Sequence, residues 1–219
     1  MFAKDLTAPG RVRVKICGIT TLADALTAIH CGADALGFNF FPASRRYVNA
    51  RTESDWMASL PKHVLKVAVM VDPIWSELTK AAQFPFIDAI QLHGSEPVEF
   101  CRRVAENRIP FAKALPVVGP EALENIPDFF TNTVILDSRT ARGFGGSGET
   151  FDWMAGRRFV ENNPRLQVIV AGGLTPENVA DAVRTIQPFG VDVTTGVESS
   201  AGRKDPRRVE AFIAAARGR

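Results

Sequence analysis

The chain has 219 residues, 46% hydrophobic and 23% charged, with a formal net charge of +2. That length suits one domain with a sizeable core, and so small a net charge supplies no field that would recommend nucleic acid or a membrane as partner. The three cysteines, Cys17, Cys31 and Cys101, come with neither a Cys-x-x-Cys pair nor a His-rich segment, which speaks against a metal site and against a disulfide framework.

No apolar run approaches the roughly 20 residues of a membrane helix and no signal peptide opens the chain, so the reducing cytoplasm is the expected compartment. Basic residues gather near the C-terminus (Arg203, Lys204, Arg207, Arg208, Arg217, Arg219). They are read as a solvated helix face and tail rather than as a nucleic-acid patch.

In chain order, apolar runs of strand length fall at 11–17, 33–39, 64–71, 87–92, 109–114, 133–137, 166–171 and 190–195. Helical spacing is predicted between and after them, at 21–31, 51–60, 74–84, 95–106, 120–126, 152–161, 175–187 and 205–217. Proline brackets the fifth of these, which makes it the shortest. Thr175-Pro176 and Asp205-Pro206 each place a capping residue before a first-turn proline, marking two helix starts. Apolar strands alternating with helical crossovers describe an all-parallel sheet buried on both faces. Eight such units in this length fit an α/β fold, a single-domain TIM (β/α)8 barrel, better than an open doubly wound sheet. No Gly-x-Gly-x-x-Gly follows the first strand, against a dinucleotide fold.

In such a barrel the chemistry gathers at the C-terminal ends of the strands. Cys17 ends the first strand and shares parity with Arg13 and Lys15, opposite to Val12, Val14 and Ile16. If the Val/Ile face meets the helices, Cys17 enters the barrel mouth, where a thiol can serve as nucleophile or base. The alternative is a small buried hydrophobe, which is how Cys31 and Cys101, within helices, are read. Asp137 ends the sixth strand as a candidate acid or a turn cap. His93 follows the fourth strand, as a site residue or a satisfied core histidine. Arg45 and Arg46, beside Tyr47, lie after the second strand, either solvated or placed to grip a carboxylate bidentately. The last three strands run into glycine-rich turns, and those at 172–173 and 195–196 offer backbone N–H groups to an anionic phosphate.

Taken together, these pieces resemble the phosphoribosylanthranilate isomerase family, TIM-barrel enzymes of tryptophan biosynthesis. The resemblance rests on Lys15-Ile16-Cys17-Gly18-Ile19-Thr20, Gly37-Phe38-Asn39-Phe40, Ser44-Arg45-Arg46-Tyr47-Val48 and Gln91-Leu92-His93-Gly94-Ser95-Glu96. It continues through Leu136-Asp137, Gly145-Gly146-Ser147-Gly148, Phe151-Asp152-Trp153, the stretch from Ala171 to Val179, and Gly190-Val191-Asp192-Val193-Thr194-Thr195-Gly196-Val197-Glu198. It implies an Amadori rearrangement of a small phosphoribosyl substrate, with Asp137 as general acid and Cys17 as general base. It also implies substrate contacts by Arg46, His93 and Asp192, phosphate turns at Gly172, Gly173, Thr195 and Gly196, and a lid loop carrying Gly145, Gly146 and Ser147. The chain departs from the usual pattern at Arg45, where proline often stands, which leaves Arg45 beside Arg46 as a candidate for the carboxylate. It departs again at Thr194-Thr195, where Ser-Ser is common.

A Schiff base formed on ring opening acidifies the neighbouring C–H, so the reaction as implied needs no metal or organic cofactor. Lys15, on the face of Cys17, is placed to stabilise its thiolate. Family members are monomers or dimers; a monomer is expected here, with a dimer as the alternative. Two other readings remain open. One is a different phosphosugar enzyme on the same barrel, either a Schiff-base aldolase using Lys15 or Lys113 or an isomerase also serving histidine biosynthesis. The other is a non-catalytic phospholigand-binding barrel.

Overall fold

The computed structural model describes residues 11–138 and 151–218. Eight parallel strands close into a barrel: β1 (Arg13–Cys17), β2 (Ala35–Asn39), β3 (Leu65–Met70), β4 (Ala89–Leu92), β5 (Phe111–Pro116), β6 (Thr133–Asp137), β7 (Gln167–Ala171) and β8 (Gly190–Val193). Closure comes from β8 returning to β1, with Asp192 opposite Lys15 and Gly190 opposite Arg13. The helices are α1 (Leu22–His30), α2 (Ser54–Ser59), α3 (Trp75–Ala82), α4 (Val98–Glu106), α5 (Trp153–Asn162), α6 (Val179–Ile186) and α7 (Pro206–Ala216). Among the described residues no helix is long and apolar enough to cross a membrane.

Strand parity sorts the side chains into two layers. One set, including Ala35, Leu65, Val67, Ala112, Ala114, Ile135, Ile169 and Ala171, packs on itself inside the barrel. The other set packs outward. Val14, Ile16, Leu36, Phe38 and Val170 meet Ala25 and Ala28 of α1, Val179 and Ala182 of α6, and Val209 and Phe212 of α7. The strands are largely apolar on both faces because both faces are covered, with Lys15, Lys113 and Asp192 among the buried exceptions.

Three departures from the sequence reading have local causes. The segment 120–126 forms only a 3-10 turn (Pro120–Leu123), because Asn125 already turns left-handed at φ 53° before Pro127. The helix expected from 175 starts at Val179. Before it, the Thr175 hydroxyl accepts only from Glu177 N (3.3 Å), while Asn178 folds back to Thr175 N and Gly173 O. After β8 the chain makes a 3-10 turn (Thr195–Val197) and an unforeseen antiparallel hairpin, β9 (Glu198–Ser200) and β10 (Arg203–Lys204). The start at Asp205 holds. Its carboxylate accepts from Arg207 N and Arg208 N, with Pro206 in the first turn.

Candidate active site

Cys17 closes β1 and Asp137 closes β6, so both sit on the C-terminal rim. Cys17 shares the row of Lys15, which is fully buried and bonded inside the barrel to Asp192, its partner on the adjacent strand β8 (Nζ–Oδ2 2.8 Å). Val14 and Ile16 face the helices, as the parity argument required. A side chain on Gly37, paired with Cys17 on the adjacent strand, would place its Cβ 2.6 Å from Cys17 Sγ and 3.0 Å from Lys15 Nζ. Thiol and ammonium therefore share the hollow that this glycine leaves.

Burial alone would pull the Lys15 ammonium down. The Asp192 carboxylate and Cys17 outweigh it, and its ionisation is held above the ordinary lysine value. Lys15 thus stands as a cation between a carboxylate and a thiol and hydrogen-bonds to both. A Schiff-base lysine needs the opposite shift, toward a neutral amine. Lys113 is no better placed. It shares the outward row of Phe111 and Leu115 and is bound to Gly94 O and Glu96 (2.8 and 2.7 Å).

Three strands round the barrel from Cys17, Asp137 meets His93, whose Nε2 lies 2.9 Å from Oδ2. Gln91 Nε2 lies 2.7 Å from His93 Nδ1; with the amide in this orientation, a neutral ring carries its proton on Nε2, toward Asp137. Asp137 Oδ1 lies over Gly172, where a Cβ would come within 2.7 Å of it and 2.1 Å of Ser138 Oγ. Gly172 and Gly173 take left-handed φ of 81° and 63°, and their N–H groups donate to no backbone acceptor among the described residues. This paired turn lies beside the acid candidate, and Thr195 and Gly196 form the start of the 3-10 turn after β8.

Arg46 and Arg45 separate clearly. Arg45 is exposed. Arg46 is half-buried at the mouth and bonded to Glu198, and that bond together with the nearby Cys17 raises its already high ionisation despite partial burial. Glu198 and Lys204 were not singled out from sequence. Lys204 is buried and Arg217 is bonded to Gly32 O and Asp34, so these two belong to no solvated basic face. Cys31 and Cys101 lie away from the mouth, and burial raises both thiols, Cys101 to about 11. The lid residues Gly145, Gly146 and Ser147 lie outside the described residues.

The sequence model described as N-(5'phosphoribosyl)anthranilate (PRA) isomerase matches residues 14–215. The chain belongs to this isomerase family. The N-(5'-phosphoribosyl)anthranilate isomerase of Thermotoga maritima is 41% identical over 208 residues, covering 94% of this chain and 99% of that one. The Geobacter sulfurreducens isomerase is 42% identical over 207 residues, covering 94% and 99%. In structure, the T. maritima isomerase superposes with a TM-score of 0.84 at 40% identity, over 95% of this chain and 100% of the other. An isomerase solved with reduced 1-(o-carboxyphenylamino)-1-deoxyribulose 5-phosphate gives 0.82 at 38%, over the same shares. A Pyrococcus furiosus thiamine phosphate pyrophosphorylase, 15% identical with a TM-score of 0.67 over 94% of this chain and 96% of its own, shares the fold.

Proposed function

We propose that the chain isomerises N-(5'-phosphoribosyl)anthranilate to 1-(2-carboxyphenylamino)-1-deoxyribulose 5-phosphate in tryptophan biosynthesis. The observation that carries this reading is the placement of Cys17 and Asp137 on one rim, with the open amides of Gly172 and Gly173 beside the carboxyl group. Family membership across nearly the whole chain supports it, as does a relative that binds the reduced product.

In this reading the phosphate rests on the amides of Gly172, Gly173, Thr195 and Gly196, and Arg46 meets the anthranilate carboxylate. Asp137 gives its Oδ1 proton to the ribose ring oxygen as the C1–O bond breaks, while His93 Nε2–H steadies Oδ2. The nitrogen lone pair closes to an iminium at C1, which acidifies the C2 proton. Cys17, as thiolate beside the Lys15 ammonium, removes that proton. The electron pair moves into an enolamine, which gains a proton at C1 and loses its 2-hydroxyl proton to give the ketone. Asp192 and His93 border the sugar. One proton enters for each that leaves, so the change is an intramolecular aldose–ketose isomerisation.

Turnover of phosphoribosylanthranilate, followed by loss of its fluorescence, tests the reading. Cys17→Ser and Asp137→Asn are each expected to cut kcat on the order of 10²–10⁴-fold while the reduced product analogue still binds. Near-normal turnover in either variant removes that residue's role. A wild-type chain without turnover overturns the reading.

A further inference from the structure

Arg46 arrives at the mouth already committed along one edge. Its Nε and Nη2 donate side-on to the two oxygens of Glu198, at 2.8 and 2.6 Å. The Glu198 side chain is only 4% exposed. Its Oε1 also accepts from Lys204 Nζ (3.1 Å) and Gly202 N (3.2 Å). Lys204, its side chain wholly buried, gives a further bond to Thr194 O at the head of the turn after β8.

The β9–β10 hairpin that carries these residues is stapled to the segment following Cys17. Thr20 Oγ1 donates to Gly202 O at 2.6 Å, and Lys204 N donates to Asp24 Oδ2 at 3.3 Å. The aliphatic stem of Arg46 crosses Gly18, where even a methyl group would lie 2.6 Å from Cδ. The guanidinium is thus fixed at its stem and along its Nε/Nη2 edge. Its remaining donors, on Nη1 and the second Nη2 hydrogen, form the end-on edge of the fork.

The charge count points the same way. Arg46 and Lys204 bring two cations to the one buried carboxylate of Glu198. Burial pulls the Lys204 ammonium below its ordinary value even though Glu198 and Cys17 work against that.

We infer that Glu198 is a positioning residue, which holds Arg46 so that its end-on edge receives the aryl carboxylate of the substrate. The β9–β10 hairpin is then the element that selects a carboxylated ring. This inference rests on the isomerase reading above.

Calorimetric binding of two probes tests it: reduced 1-(o-carboxyphenylamino)-1-deoxyribulose 5-phosphate and the same molecule lacking the carboxyl group. Each is titrated into wild type, Glu198→Gln, and the double variant Glu198→Gln/Lys204→Met. The double variant removes the ammonium that the single change leaves unpaired in the interior, so a folded protein is available if the single variant is unstable. The carboxylated probe is expected to weaken on the order of tenfold in the variants, and the other by less than about twofold. Equal weakening of both probes, or no weakening of the carboxylated one, overturns the positioning role while the isomerase reading stands. A wild type that binds neither probe overturns the isomerase reading, and this inference with it.

Discussion

A lysine with no exposed surface is costly to keep inside a barrel, because its charge must be matched where water cannot reach. Lys15 meets that cost through Asp192, 177 residues away in the chain and 2.8 Å away in space. Removing one partner leaves the other charge stranded. Lys15→Met is therefore expected to destabilise the protein by about 3–5 kcal/mol, read from urea unfolding. Lys15→Met/Asp192→Leu should recover most of that loss without recovering turnover. A single variant as stable as wild type would show that the pair contributes nothing to the core. Parity in a five-residue strand was enough to turn Lys15 and Cys17 inward and Val14 and Ile16 outward. The partner of Lys15 was not legible as such, since the pairing of the last strand with the first, which closes the barrel, leaves no local period in the sequence.

At the scale of elements, the β9–β10 hairpin has a pH dependence of its own. Burial pushes the Glu198 carboxyl up, but the Arg46 fork and the Lys204 ammonium outweigh it and hold it below the ordinary glutamate value. A carboxyl group lowered in the folded state stabilises that state above its unfolded value of about 4.3. The stabilisation fades as pH falls through the lower folded value. Wild type should therefore lose stability on acidification below about pH 4.3 through this group, and Glu198→Gln should lack that component. Urea midpoints measured between pH 6 and pH 3 decide it; parallel curves for the two proteins would remove Glu198 from the acid transition.

The eight strands were legible as short, largely apolar runs bounded by turn residues. The hairpin was not, because Glu198–Ser200 and Arg203–Lys204 are short, polar and without alternation. Thr175-Pro176 and Asp205-Pro206 look alike in sequence, yet only the second opens a helix. Asn178 captures Thr175 N and Gly173 O and holds the first in a turn.

Across the whole molecule the two rims of the barrel divide the work. The C-terminal rim carries Cys17, Arg46, His93, Asp137 and the glycine turns. The N-terminal rim carries Asp34, just before β2, which joins both ends of the described chain. Its carboxylate takes Arg11 Nη2 (2.6 Å), Arg13 Nη1 (3.3 Å), Val14 N (2.9 Å) and, from the end of α7, Arg217 Nη2 (3.0 Å). The Arg217 side chain is 6% exposed and that of Asp34 11%, so this is an ion cluster largely screened from water rather than a surface pair. Closure of a barrel needs its first strand and last helix to dock, and here a single carboxylate serves both. Asp34→Ala is expected to lower unfolding free energy by about 2–4 kcal/mol. Because every proposed contact to substrate lies at the opposite rim, kcat/KM for phosphoribosylanthranilate should stay within about twofold of wild type at temperatures where the variant is folded. A large fall in kcat/KM with unchanged unfolding would mean that the two rims are energetically coupled, and that the active-site geometry depends on how the barrel is closed beneath it.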